Sequence, residues 1–148
     1  MAYLKIAGEE IKDYLPHREP FLFVDRIEIP VEKIVVGFKT FSSDEPFFKA
    51  YLPQESFLPG ALIIEACAQV SAFILLAYKN FKDSFGYLVH IENFNFLKKV
   101  KPGETLKVIS KFMGLRFGIA RSRVEAYVNE KLVASGIVSI KIVPHKEV

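Results

Sequence analysis

Residues Phe47–Gln69 read FFKAYLPQESFLPGALIIEACAQ, passing from an aromatic pair through two prolines into a run that is almost wholly apolar. Pro59 and Gly60 open that run. A proline suits a helix start because its missing N–H would have had no partner there. The pattern predicts a helix over about residues 60–79. Apolar residues occupy every face of it, so protein should surround it on all sides. Inside it sits one carboxylate, Glu65, with Gln69 one turn later, close enough for the two side chains to meet. Burying a carboxylate costs several kcal/mol unless something compensates. Either Gln69 satisfies Glu65, or Glu65 is there for chemistry, where such perturbed groups concentrate.

Working outward, the flanking segments read as strands. Residues 8–15 suggest a short helix stopping before Pro16, followed by extended segments FLFVDRIEI and EKIVVGFKTF, the second broken by Asp44, Glu45 and Pro46. After the helix come GYLVHIENFNFLK, a Lys101–Pro102–Gly103–Glu104 turn, TLKVISKFMGLRF, then IARSRVEAYV and LVASGIVSIKIV. In the first of these, alternation puts Tyr87, Val89 and Ile91 on one face and Leu88, His90 and Glu92 on the other. Ala120, Ser122, Val124, Ala126 and Val128 form a small-residue face, as do Ala134, Gly136 and Val138. One apolar helix and an antiparallel sheet with a small-residue face imply an α+β fold, the sheet wrapped around the helix.

The 148 residues suit a single domain, 1–148. A net charge of +3 is too small to argue for nucleic acid. The lone Cys67 excludes an internal disulfide and points to a reducing compartment, and the N-terminus lacks the apolar core of a secretory signal. Residues 57–78 are interrupted by polar groups and flanked by amphipathic strands, so no membrane span is expected. The expectation is a cytoplasmic protein.

Four stretches carry a resemblance over nearly the whole chain: LPHREPFLFVDRI (Leu15–Ile27), LPGALIIEACAQ (Leu58–Gln69), YLVHIENFNFLKKVKPGETL (Tyr87–Leu106) and GIARSRVEAYVNEKLVASGIVSI. They resemble the 3-hydroxyacyl-acyl-carrier-protein dehydratases of fatty acid synthesis, which have the hot-dog fold. The resemblance implies homodimers, often assembled further, as in a hexamer built as a trimer of dimers. It implies two active sites at the dimer interface, no metal, no cofactor, and acyl carrier protein or acyl-CoA thioesters as partners. A histidine from one subunit and an acid on the central helix of the other do the chemistry, removing water from a 3-hydroxyacyl thioester.

Carried over by position, the acid maps to Glu65 and the glycine whose N–H binds the thioester carbonyl maps to Gly60, with Pro59 before it and Gln69 behind Glu65. The Gly60 role also suits a helix N-terminus, whose free N–H groups and positive dipole end stabilise an enolate oxygen. The family histidine does not carry over. Its Gly-His-Phe-Pro element corresponds to Ala50, Tyr51, Leu52 and Pro53, so Tyr51 stands in its place. A phenol at neutral pH is about one part in a thousand ionised, so tyrosine donates a hydrogen bond more readily than it takes a proton.

His17, in the first signature, reads as structural and His145, in the tail, as exposed. His90 is the candidate for a relocated base. Cys67 shares its face with no base and reads as a small core residue. Lys98, Lys99, Lys101, Lys111, Arg116, Arg121 and Arg123 supply either solubility or a docking patch for an acidic carrier. Three functions stay open: a dehydratase-like hydro-lyase using Glu65 with Tyr51 or His90; a non-catalytic acyl-thioester binding subunit; and a thioesterase in which Glu65 activates water against a thioester held at Gly60.

Overall fold

The structure, a computed structural model, describes residues 3–77 and 83–144. Strand β1 (Leu4–Ala7) leads into a 3-10 helix over Gly8–Asp13, then β2 (Arg26–Val31) and β3 (Ile34–Thr40). Two helices follow, α1 (Phe47–Ala50) and α2 (Gly60–Leu76), and then four long strands, β4 (Ser84–Phe96), β5 (Thr105–Arg116), β6 (Ile119–Val128) and β7 (Lys131–Pro144). All seven strands make one antiparallel sheet in the order β1-β2-β3-β5-β6-β7-β4. The sheet curls round α2, which touches every strand from β2 to β7. This is the hot-dog fold that the sequence led us to expect.

The all-round apolarity of α2 has the expected consequence. Ile63 and every residue from Ala66 to Leu76 are buried. Against it lie Ala120, Ser122, Val124, Ala126 and Val128 of β6, all buried as their alternation foretold. Small residues set how closely sheet and helix approach. A Cβ built on Gly37 in β3 would come within 2.3 Å of Val70 in α2. Ser71 donates to the Cys67 carbonyl at 2.7 Å, leaving its lone pairs for the Ser110 hydroxyl of β5, also at 2.7 Å. That pair ties Ser71 of α2 to the sheet without an unmade hydrogen bond. Cys67 is fully buried, and burial pushes its thiol up to about 12, which suits the core role read for it.

Four local expectations are corrected. Helix α2 ends at Leu76, where the Ala77 N–H caps back onto Phe73 O; residues 78 and 79, assigned to the helix from sequence, lie outside the described residues. Strand β1 and the single-turn α1 were not foreseen, because four-residue elements leave too little periodicity to read. The extended segment at 21–29 forms a strand only from Arg26. Its Leu22, Phe23 and Val24 are buried in succession, and the backbone at Phe21 and Phe23 bonds to a side chain of α2 instead of a neighbouring strand. His145 lies outside the described residues.

The fourth correction changes which way β4 faces. Leu88 pairs with Ile140, but His90 pairs with Ser139 and Ile91 with Val138, so Val89 is an extra residue in a bulge. Residues directly opposite in an antiparallel pair share a face. Leu88 and Ile91 therefore lie on the helix side with Ile140 and Val138, while Tyr87 and His90 lie on the outer side. The simple alternation predicted the reverse partnership for His90, because the bulge shifts the phase of the residues that follow it, up to a second register shift between Glu92 and Asn95. Among the described residues, no helix is long and apolar enough to cross a membrane.

Candidate active site

Helix α2 begins at Gly60 with no side-chain cap and no acidic residue in its first turn. Leu62 and Ile63 donate to the Pro59 carbonyl at 2.9 and 3.3 Å. The Gly60 N–H precedes them and has no acceptor among the described residues. Gly60 lines a cavity of about 490 Å³ together with Tyr51, Phe57, Leu58, Ile63, Phe96, Lys98 and Lys99. A Cβ at Gly60 would meet the outer atoms of the Phe96 ring at 2.9 Å, so glycine leaves that ring its place at the helix start. Tyr51 is the C-terminal cap of α1, half-exposed, its ring edge-on to Phe57 at 5.6 Å. The walls are apolar and aromatic and the rim carries two lysines. Lys99 pairs with Glu55 at 3.2 Å and sits 4.8 Å from the Phe57 ring centroid. Sequence alone did not separate these two lysines from the other cations; the fold brings them to Gly60, whereas Arg121 is spent on a bidentate pair with Glu92 at 2.8 and 2.9 Å.

Glu65 lies elsewhere. Five residues along a helix turn it by about 140° and raise it by about 7.5 Å, so Glu65 and Gly60 project from different sides of α2. Glu65 lines a separate small cavity of about 80 Å³ with His17, Ala68, Gln69, Ala72, Gly86 and Leu88. Gln69, 1% exposed, organises it. Its amide nitrogen donates to Glu65 Oε1 at 2.9 Å and to Phe21 O at 3.0 Å, and its carbonyl accepts from the Phe23 N–H at 2.8 Å. One buried amide thus locks the 21–23 backbone to α2 and fixes the carboxylate. The i+4 pairing read from sequence is present, but it is one bond of three.

His17 is the residue whose position the sequence did not foretell. Its Nε2 stands 3.5 Å from Glu65 Oε1. The two residues are 48 positions apart and joined only by the tertiary fold, so no periodicity could have paired them. His90 stands on the outer face of β4, away from α2, and lines neither cavity. Among the described residues, no cluster of three or more His, Cys, Asp or Glu could hold a metal ion.

Comparison with known proteins places the chain in a family and a fold. A FabA-like domain matches residues 15–137, which include Gly60, Tyr51, Glu65, Gln69 and His17. The 3-hydroxyacyl-[acyl-carrier-protein] dehydratase FabZ of Clostridioides difficile strain 630 is 40% identical over 129 residues, 86% of this chain and 91% of that protein. FabZ of Syntrophomonas wolfei is 36% identical over 137 residues, covering 92% and 95%. Among solved structures, the dehydratase heterocomplex ApeI:P from Xenorhabdus doucetiae superposes with a TM-score of 0.78 at 20% identity, over 93% of each chain. A hypothetical thioesterase from Streptococcus pneumoniae, solved with coenzyme A, gives 0.60 at 15% identity over 80% of this chain and 84% of that one.

Proposed function

Since the chain belongs to the FabA-like family of 3-hydroxyacyl-[acyl-carrier-protein] dehydratases, we propose that it dehydrates 3-hydroxyacyl thioesters at a site completed by a second copy of itself. The observation that carries this reading is the division of the site around α2. The Gly60 N–H and Tyr51 share one cavity, while Glu65 faces another. Within a protomer they do not meet at one substrate. A two-fold dimer brings the Gly60 side of one protomer to the Glu65 side of the other. Strand β4 supplies the surface for it. It is a sheet edge of 13 residues with exposed Tyr87, Val89, Ile91 and Phe96, and an apolar edge of that length invites pairing with another copy.

In the assembled site, the thioester carbonyl accepts from the Gly60 N–H, where the helix dipole stabilises the enolate. The Glu65 carboxylate takes the C2 proton. The C2–C3 double bond forms as the C3–O bond breaks, and the Tyr51 hydroxyl gives its proton to the leaving hydroxide, which departs as water. The proton on Glu65 returns to Tyr51 through solvent, and the site is reset. Tyr51 therefore acts as acid in the place where the family has histidine. Lys98 and Lys99 at the rim suit the acidic surface of a carrier protein or the phosphates of coenzyme A, in the cytoplasm. Pro59 sets the helix start and Gln69 holds Glu65; His90, on the outer face of β4, is assigned no role.

The test is turnover of a 3-hydroxyacyl thioester, on carrier protein and on coenzyme A, by wild type, Tyr51→His, Glu65→Gln and the double variant. Wild type is expected to turn over, Tyr51→His to raise the rate by about 10²–10⁴, and Glu65→Gln to remove activity in either background. Thioester hydrolysis lost in Glu65→Gln would replace this reading with a thioesterase. Binding of acyl carrier protein with no turnover by any variant would replace it with a binding subunit.

A further inference from the structure

We propose that His17 is a positioning residue for Glu65: its imidazole, carrying hydrogen on Nε2, donates to Oε1 and leaves Oε2 as the atom that takes the proton. This inference rests on the reading of Glu65 as the base. Both donors that approach the carboxylate converge on one oxygen. Gln69 Nε2 reaches Oε1 at 2.9 Å from the next turn of α2, and His17 Nε2 stands 3.5 Å from the same oxygen. Oε2 has no partner among the described residues. Gln69 alone would leave the carboxylate free to rotate about that single bond. A second donor from the opposite segment of chain removes the freedom and fixes which oxygen faces the substrate.

The environment of the ring selects its tautomer. Nδ1 is buried and has no hydrogen-bond partner among the described residues. Hydrogen on Nδ1 would orphan a buried N–H and set the bare Nε2 lone pair against a carboxylate. Hydrogen on Nε2 avoids both, since an unmade buried donor is the costlier omission. The side chains are only 21% and 20% exposed, so solvent screens the contact weakly. The ring is also held from behind. Leu15 is buried, and the Arg18 guanidinium takes the carbonyls of Leu15 at 2.9 Å and His17 at 2.7 Å, fixing the backbone on both sides of Pro16.

His17 touches no reacting atom in this scheme and acts through Glu65. Its test uses the full-length protein, with His17→Leu, which removes the donor, and His17→Gln, whose amide reaches the place of Nε2. On a 3-hydroxyacyl thioester, His17→Leu is expected to lower kcat about tenfold or more with KM unchanged, and His17→Gln to recover most of the loss. Unchanged kcat in His17→Leu, or equal losses in both variants that follow their thermal stability, overturns the proposal in favour of a framework role. Nitrogen NMR of the His17 ring gives a second readout that needs no activity. Hydrogen should reside on Nε2, and that resonance should move in Glu65→Gln. If no variant and no wild type turns over, the dehydratase reading fails by itself; hydrogen found on Nδ1, or a ring signal indifferent to Glu65→Gln, overturns the His17 assignment whatever the activity.

Discussion

The two halves of the site on α2 are held in opposite ways. At Glu65, a buried glutamine spends both amide donors and its carbonyl oxygen on three partners from two segments of chain. At Gly60, the lining is a half-exposed tyrosine at the end of a single helical turn, an exposed Phe96 and two lysines. The first half is built within one protomer before anything binds. The second is a mouth edged by exposed side chains, which in the proposed function is completed by substrate and a neighbouring copy. On the proposed function, the former suits a carboxylate that must hold a fixed direction, and the latter suits an entrance for a thioester and its carrier.

Substitutions at matched positions in the two halves sharpen or break this contrast. Gln69→Leu should have the largest effect. It leaves the buried Phe23 N–H without its partner, at about 1–3 kcal/mol, and removes the part-buried bond to the Phe21 carbonyl, worth about 0.5–1.5 kcal/mol, so denaturant unfolding should show a loss of about 1.5–4.5 kcal/mol. Cys67, two residues away from Gln69 and protected by burial that pushes its thiol up to about 12, reports the same loosening. Wild type should resist alkylation at mildly alkaline pH until it unfolds, whereas Gln69→Leu should label faster. Equal labelling rates would mean that Gln69 is not what holds this half.

Next comes a pair of glycines. Gly37→Ala drives a methyl onto Val70 of α2, where a Cβ would stand at 2.3 Å from one methyl and 2.9 Å from the other. Both helix and sheet are packed there, so a loss of about 1–3 kcal/mol in thermal or chemical unfolding is expected. Gly60→Ala meets only the outer atoms of the exposed Phe96 ring, which can swing aside. Its stability should change by less than about 1 kcal/mol, helped by the helix preference of alanine, while turnover falls as the ring moves into the cavity. A large stability loss in Gly60→Ala would erase the contrast.

Two smaller effects belong to the mouth alone. Tyr51→Ala should cost about 0.5–1.5 kcal/mol, the worth of its edge-on contact with Phe57. Lys99→Ala should cost less than about 1 kcal/mol, because its pair with Glu55 is exposed on both sides. Its effect should appear in KM for a carrier-bound substrate, weakening as salt is raised.

The amino-acid sequence by itself determined the parts that follow a local period. The start of α2 at Pro59–Gly60, its burial on all sides, the inward face of β6 and the contact of Glu65 with Gln69 are all set within a few residues of chain, where helix and strand geometry leave little choice. The family signatures carried the fold and the places of Gly60 and Glu65 further than periodicity could. Tertiary structure decided the rest, for two physical reasons. A single extra residue, Val89, reverses the facing of β4 from His90 to Glu92, until a second register shift before Asn95, and a bulge is a property of two paired strands, not of one. The second reason is separation. Gln69 meets Phe21 and Phe23, and Glu65 meets His17, at separations of 46 to 48 positions along the chain. Only the closing of the N-terminal segment over α2 brings those groups together, and with them the donor set that orients the carboxylate.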